Sequence, residues 1–427
     1  MWRALLCMFI NINKNVGNKN LCSLPKIAIF SNTFGPKDAM GKHLHLIKKV
    51  FPQAEIFLER GNEDPGIPAH TFYFARRYPH LALYMLEWKL GKRLKFLEWM
   101  FKPFQKLAFY LEARKFSRYD VVWAQWGLYH NAIHLLPALR ACSCLRSSAG
   151  RRALKQKCPK IIFDYHGVTP PDQIMSRGKR LIAEKTIAVT QEGANCADLC
   201  LVRSHFMERE LRNYGKPRKI IFNPLPFLPI KSEILPLREK YHLENKKILL
   251  YVGRISEHKN LAVVIGALQK IEKKDVCFAV VGNDRHLSLA AEKERLIDLS
   301  RKLKVQDQMI FTGEVSEAEL FSWYKICNLF VMPSLHEGFC WPLVDAMAYG
   351  APILATREGA IPETVGNAAL FFDAKNPSDL SAKLIQILDN QELRGQLARL
   401  GKEKAKEYSW EKYKNILLNA VEELLNC

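Results

Sequence analysis

Few stretches of this 427-residue chain restrict the fold as tightly as 329–355. Leu329-Phe330-Val331-Met332 is a short, wholly apolar run that reads as a buried strand. Pro342 at the start of the next periodic segment and Gly350 just past its end bracket a helix. Pro352-Ile353-Leu354-Ala355 then reads as a second strand. Strand, loop, helix and strand in so little sequence describe a unit of a parallel α/β sheet. The loop from Pro333 to Trp341 then falls between a strand's C-terminal end and a helix N-terminus, the position where such sheets bind anions. That loop carries Gly338 and Phe339, and two carboxylates, Glu337 and Asp345, flank the helix start. Acids beside an anion site call for a second ligand feature, and sugar hydroxyls supply one.

A matching unit lies upstream. Ile248-Leu249-Leu250-Tyr251-Val252 reads as a strand and ends in Gly253-Arg254, followed by Lys259-Asn260. The helix after it has Leu261, Val264, Leu268 and Ile271 on one face. Arg254 and Lys259 therefore sit on a loop at the crevice edge of the same sheet. A bidentate guanidinium and a mobile ammonium together suit a diphosphate.

Further strands are expected at Lys26–Phe30, Tyr119–Ala124, Lys160–Asp164, Leu199–Val202, Val276–Val281 and Met309–Phe311. The first is followed by a loop containing Gly35 and Gly41, with a helix expected from Lys42. His166 follows the strand at 160–164. Asn223-Pro224-Leu225-Pro226-Phe227-Leu228-Pro229, with Pro236 close behind, marks a stiff linker. The chain is too long for one ordinary core. The expected organisation is a disordered extension over 1–25, a doubly wound domain over 26–223 and a linker over 224–246. A second doubly wound domain follows over 247–405, with a final helix over 406–427.

Charge narrows the partners. The formal net charge is +21, and residues 76–118 alone carry a net +8. Leu90, Leu94, Leu97 and Phe101 there fall at helical spacing, with Lys89, Lys92, Arg93 and Lys95 between them. Such a helix suits an anionic bilayer surface, or a core contact with a solvated basic back. No nucleic-acid recognition motif accompanies the charge, and nucleic acid is not an expected partner. Residues 137–159 read as a long basic loop. No apolar run reaches the roughly 20 residues that span a bilayer, and the apolar N-terminus lacks a small-residue cleavage site. The 11 cysteines are scattered without zinc-site spacing and read as reduced thiols. These points give a cytoplasmic protein, peripheral on the membrane's cytoplasmic face if the basic helix meets lipid.

Gly253-Arg254, Lys259-Asn260, Gly313-Glu314, Pro333-Ser334, Glu337-Gly338-Phe339 with Asp345 eight residues after Glu337, Ile361-Pro362-Glu363 and Tyr408-Ser409-Trp410 together resemble the retaining glycosyltransferases of family 4. Gly41 with His45, His166-Gly167 and Ser204 are looser matches in the N-terminal half. The resemblance implies the GT-B fold: two Rossmann-like α/β domains facing across a cleft. It implies that the first is the acceptor side, that the second binds the nucleotide sugar and that the final helix returns toward the first. It implies that Glu337 binds the donor sugar's hydroxyls, with Gly338 and Phe339 in the same loop. Asp345 would hold the ribose, where the family carries Glu. Arg254, Lys259 and the backbone N–H groups of Leu343 and Val344 would bind the diphosphate. Gly41 would let the first loop approach the phosphates, and His166 would face the reacting carbon. The implied catalytic set is Glu337, His166, Arg254 and Lys259.

No Asp-x-Asp pair is present to hold a metal under a diphosphate, so no metal or other cofactor is expected. The expected activity is transfer of a sugar from a nucleotide donor to a glycan or lipid-linked acceptor in cell-envelope polysaccharide or lipopolysaccharide-type synthesis. Two alternatives stand beside it: a nucleotide-sugar epimerase of the same fold, and a catalytically weakened sugar- or membrane-binding protein.

Overall fold

The computed structural model describes residues 24–31, 39–58, 69–71, 113–125, 136–137, 139–140, 159–174, 177–271, 273, 275–282 and 287–426. Residues 1–23 of the expected N-terminal extension and residues 76–112 of the basic stretch 76–118 lie outside these residues, as does most of the loop at 137–159.

Seven parallel strands make the first sheet: β1 (Ile27–Ser31), β2 (Glu55–Leu58), β3 (Ala69–Thr71), β4 (Val121–Gln125), β5 (Lys160–Asp164), β6 (Leu199–Val202) and β7 (Ile220–Phe222). Their order is β3-β2-β1-β4-β5-β6-β7. Helix α1 (Ala39–Val50) leaves β1, α2 (Arg177–Cys196) joins β5 to β6, and α3 (His205–Tyr214) joins β6 to β7. Alternation along β1 sorts side chains between two faces. Ile27 and Ile29 join one buried cluster with Val121, Trp123 and Ile162. Ala28 and Phe30 join another with Val122, Phe163 and Tyr165. A sheet buried on both faces needs near-continuous apolar strands, and β1, β4 and β6 are wholly buried.

The second sheet has six parallel strands: β8 (Lys247–Val252), β9 (Val276–Val281), β10 (Met309–Gly313), β11 (Leu329–Met332), β12 (Ile353–Thr356) and β13 (Ala369–Phe372). Their order, β10-β9-β8-β11-β12-β13, repeats the winding of the first sheet. Its helices are α4 (Leu261–Lys270), α5 (Leu287–Lys302), α6 (Glu317–Ile326), α7 (Trp341–Tyr349), α8 (Ile361–Val365), α9 (Pro377–Asp389) and α10 (Gln391–Ala405). In each sheet the winding reverses between the first and fourth strands, at β1/β4 and β8/β11. Those are the crevices where ligands bind in open parallel sheets.

The two-domain α/β architecture agrees with the reading of the sequence, with differences of detail. Strands β2, β3, β7 and β13 were not expected. The first two are short, and β7 is half-buried along its length, so none carries a long apolar signature. Helix α1 begins at Ala39, which places Gly41 inside its first turn instead of in the preceding loop. Helix α7 begins one residue before Pro342 and stops at Gly350, whose φ of 80° is the left-handed conformation that closes a helix at little cost.

The linker is anchored at several points, while Lys231, Ser232, Glu233 and Ile234 are exposed. Trp341 Nε1 donates to the Pro226 carbonyl at 3.0 Å, and the Ile230 N–H to Tyr349 Oη at 2.9 Å. The last helix, α11 (Trp410–Asn426), lies against α1 of the first sheet. Lys49 Nζ sits 4.7 Å over the Trp410 ring, and Lys219 pairs with Glu423. Phe227 on the outgoing linker donates its N–H to the Tyr408 carbonyl on the returning chain at 2.8 Å. The two crossings between domains are thus tied together.

Candidate active site

Two loops leave the switch point of the second sheet, one after β8 and one after β11, and they are stitched to each other. Asn260 Nδ2 donates to the Pro333 carbonyl at 3.1 Å and to the Ala374 carbonyl at 2.8 Å. The Leu335 N–H donates to the His258 carbonyl at 2.8 Å. This backbone frame brings the expected acid and cation together. Lys259 Nζ donates to Glu337 Oε1 at 2.6 Å, and Ser334 Oγ donates to the same oxygen at 2.7 Å. Both partners of the ion pair are nearly buried, with side-chain exposures of 12% and 10%. A buried pair whose geometry is this close keeps its charges where water would otherwise scatter them. Arg254 lies exposed at the mouth of the same loop.

A third segment locks the Glu337 backbone. The Ala360 N–H donates to the Glu337 carbonyl at 2.8 Å. Gly359 has φ +61°, and a Cβ there would collide with that carbonyl. Only glycine permits this approach. At the end of the loop, directly before α7, Cys340 takes φ 66°, a left-handed conformation uncommon outside glycine. Burial and the neighbouring Glu337 carboxylate push its thiol well above the ordinary range, so Cys340 is no nucleophile.

The remaining expected donor residues fall less uniformly. The Gly338 carbonyl accepts Ser204 Oγ at 2.6 Å, and a Cβ on Gly338 would stand 3.6 Å from the His166 carbonyl. His166 of the first domain is therefore beside the Glu337 loop. The Phe339 ring packs on Tyr408 with centroids 5.6 Å apart, and its carbonyl accepts Thr364 Oγ1 at 2.6 Å. Phe339 serves the loop's packing. The Leu343 N–H donates to the Cys340 carbonyl at 3.0 Å, so the left-handed entry to α7 already uses this expected phosphate donor. Val344 lies with Leu343 in the buried face of α7. Asp345 is half-buried. Burial pushes its carboxyl up to about 7, with Lys42 of the opposite domain pulling the other way.

No site role was read from the sequence for Lys42, Ser334, His258, His336 or Glu210, although Ser334 belongs to the Pro333-Ser334 motif of the resemblance. Burial, then Lys259 and Arg254, hold His258 well below the ordinary histidine range, so it is neutral beside the cations. Ser334 follows the strand closely, and its distance of three residues from Glu337 is a further signal for it.

The first domain carries a polar cluster of a different kind. Arg203 is paired with Asp164, and Trp123 Nε1 donates to Asp164 Oδ2 at 3.2 Å. Burial alone would raise the Asp164 carboxyl, but Arg203, with His43 and His166, holds it below the carboxylate range. Burial, then Arg203, keep His43 neutral well below its ordinary value. Ligand atoms of His43, Asp164 and His166 lie within 4.8 Å of one another. The Arg203 guanidinium already occupies the cation's place at Asp164, and the donor set does not suit a metal. His166 Nε2 stands 3.6 Å from Asp164 Oδ1, which orients the ring without a direct hydrogen bond.

Known proteins match this arrangement. Residues 235–404 match the family model described as Glycosyl transferases group 1. Over that segment the chain is similar to the group 1 glycosyltransferases. An uncharacterized glycosyltransferase of Methanocaldococcus jannaschii is 29% identical over 218 residues, covering 51% of this chain and 57% of that protein. The O-antigen chain mannosyltransferase B of Escherichia coli is 28% identical over 273 residues, 62% of this chain and 66% of that protein. The matched region thus spans between about half and two thirds of these curated relatives. Among solved structures, sucrose-phosphate synthase of Thermosynechococcus elongatus superimposes with a TM-score of 0.70 at 19% identity, over 94% of this chain and 100% of that one. Anabaena HepE, solved with UDP, gives 0.69 at 16% identity, over 93% and 100%. At these identities the likeness establishes the GT-B fold. No helix among the described residues of this chain is long and apolar enough to cross a membrane.

Proposed function

We propose that this protein is a retaining, metal-independent glycosyltransferase of family 4 that moves a sugar from a nucleotide donor to a glycan or lipid-linked acceptor of a cell-envelope polysaccharide. The observation that carries the reading is the Lys259–Glu337–Ser334 cluster, locked by Ala360 at the β8/β11 switch point. A carboxylate fixed there accepts hydrogen bonds from sugar hydroxyls. Arg254 at the mouth and Lys259 within the site meet the diphosphate. Lys259 balances Glu337 in the resting site, and the same cation faces the charge that develops as the nucleoside diphosphate departs. Charge stabilisation by groups already in place costs no reorganisation at the moment of reaction.

In this mechanism the acceptor attacks the face from which the phosphate leaves, and the leaving phosphate takes the acceptor's proton. Arg254 and Lys259 perform the work a divalent ion does elsewhere, so turnover should survive a chelator. His166, oriented by Asp164 and reaching the Gly338 side of the cleft, borders the reacting sugar. Asp345 binds the ribose hydroxyls in its ionised form. The relatives named as mannosyltransferases and the neighbours solved with UDP or UDP-glucose put mannose- and glucose-bearing nucleotide sugars first among donors.

The deciding experiment incubates the protein with a panel of nucleotide sugars and follows nucleoside diphosphate release with and without glycan acceptors. Acceptor-dependent release with the anomeric configuration kept supports the proposal. Interconversion of donors without release identifies an epimerase, and tight binding without turnover a weakened binding protein. The basic segment supports a peripheral place on an anionic membrane. Flotation with anionic vesicles should weaken when Lys92, Arg93 and Lys95 become Glu, and unchanged flotation would return that segment to the core or solvent.

A further inference from the structure

One short helix holds the Glu337 loop and also reaches across to the other domain. Within α8, Thr364 Oγ1 holds the Phe339 carbonyl at 2.6 Å, while Ala360, directly before the helix, holds Glu337. Glu363 of the same helix points the opposite way. Its Oε1 accepts the N–H of His205 at 2.5 Å, and its Oε2 accepts the N–H of Phe206 at 3.1 Å. These are two of the unpaired donors at the start of α3, in the first domain. A carboxylate from one domain therefore caps a helix in the other, where the helix dipole favours negative charge. Ser204, the residue preceding α3, caps the Met207 N–H at 3.1 Å with the same hydroxyl that donates to Gly338.

A second arm runs parallel to the first. Glu210 on α3 accepts Tyr165 Oη at 2.6 Å within its own domain, and its other oxygen meets His336 Nε2 at 3.1 Å. His336 adjoins Glu337, and its ring lies 5.5 Å from that of Phe206. Gln173 Nε2 adds a bond to the Leu335 carbonyl at 3.3 Å. Leu335, His336 and Gly338 are each bound from the first domain, and Glu337 between them is bound by Ala360, the residue before α8. The loop cannot keep this form if α3 withdraws.

We propose that Glu363 is a positioning residue: by capping α3 across the interface it clasps the two domains and sets the Glu337 loop in its working form. Glu363 touches no substrate; it acts through α3 and through the loop to which α8 is tied. The proposal rests on the glycosyltransferase reading for its kinetic consequence, but its structural consequence stands apart from activity. Displacing α3 from the loop leaves nucleotide contacts on the second domain intact, while the sugar loses its fixed Glu337 and the cleft admits water.

The test compares wild type with Glu363→Ala, Glu363→Gln and the control Glu358→Gln, which changes an exposed acid of the neighbouring loop. Hydrogen exchange is read on peptides covering 204–207 and 335–339, nucleoside diphosphate affinity by calorimetry, and donor turnover with and without acceptor. In Glu363→Ala, exchange should rise about tenfold in both peptides. The kcat for transfer should fall about tenfold, with nucleotide affinity within about twofold of wild type. Glu363→Gln, which keeps one accepting oxygen, should recover part of both effects, and Glu358→Gln should match wild type. Unchanged exchange at 335–339 overturns the clasp, as does a parallel loss of nucleotide affinity and cooperative unfolding that marks Glu363 as a plain structural residue. A wild-type protein inactive on every donor defeats the glycosyltransferase reading, and the exchange data then decide the clasp alone.

Discussion

The two sheets are wound alike, yet their crevices treat charge in opposite ways. At the edge of the second sheet, Lys259 and Glu337 pair with side-chain exposures of 12% and 10%, and Arg254 on the same loop as Lys259 is exposed. At the edge of the first, Asp164 and Arg203 pair with side-chain exposures of 0% and 2%, and His43 beside them is neutral. The first arrangement keeps charges within reach of a ligand. The second spends them inside the protein, where they fix the ends of β5 and β6 and orient His166. Similar residue types at similar places in one topology thus form the candidate site in one domain and a buried framework in the other.

Mutations that break one member of each pair should separate these roles. The largest effect on the fold is expected from Arg203→Ala, which strands a fully buried carboxylate. Loss of one partner of such a pair costs about 3–5 kcal/mol, to be read from urea unfolding. An unfolding midpoint equal to wild type would show that the pair is not structural. Glu337→Ala should act the other way round. Transfer should fall by about 10²–10³-fold, as when a fixed polar group at a reacting centre is removed, with the thermal midpoint nearly unchanged. Near-wild-type rates would end the proposed role of Glu337.

Gly359→Ala tests whether the loop's form matters apart from its carboxylate. A methyl group cannot be placed against the Glu337 carbonyl at φ +61°, and backbone strain of this sort costs about 1–3 kcal/mol. Turnover should drop with Glu337 still present. Retention of full activity would show that the loop tolerates displacement.

The smallest effect concerns Asp345. Its folded carboxyl is raised to about 7, so the folded state holds a proton that the unfolded chain releases near pH 4. Stability from this group is present below that pH and is lost as pH rises through about 7. The unliganded midpoint should drift downward across that window, and Asp345→Asn should flatten the drift. Donor affinity, which needs the ionised form, should strengthen over the same range in wild type alone. A pH-independent donor affinity would remove Asp345 from the ribose site.

Much of the second domain was legible because its strands are continuous apolar runs and its loops are short. Arg254, Lys259 and Glu337 stood out through their places after β8 and β11. The first domain was harder to read. Strands β2 and β3 are too short for a clear pattern, and β7 is only partly buried, as is β13 at the edge of the second sheet. Leu343 was expected as a phosphate donor, but the left-handed turn at Cys340 redirects its N–H, and no residue type announces such a turn. Phe339 was placed by packing on Tyr408, 69 positions away in the chain.

The sequence by itself determined the α/β class, the two units, and the acid and cations of the candidate site, since those follow from local periodicity and from loops adjoining strands. Only the tertiary structure decided which charges face the cleft. Asp164 ends strand β5 and Glu337 lies in the loop after β11, so both are acids at the C-terminal edge of a strand and look similar in the chain. One is neutralised by an arginine 39 residues on, the other by a lysine 78 residues back. Burial and partner choice are properties of the packed molecule. The same holds for the clasp, in which Glu363 meets backbone N–H groups more than 150 residues away, a contact that no pattern of neighbours along the chain encodes.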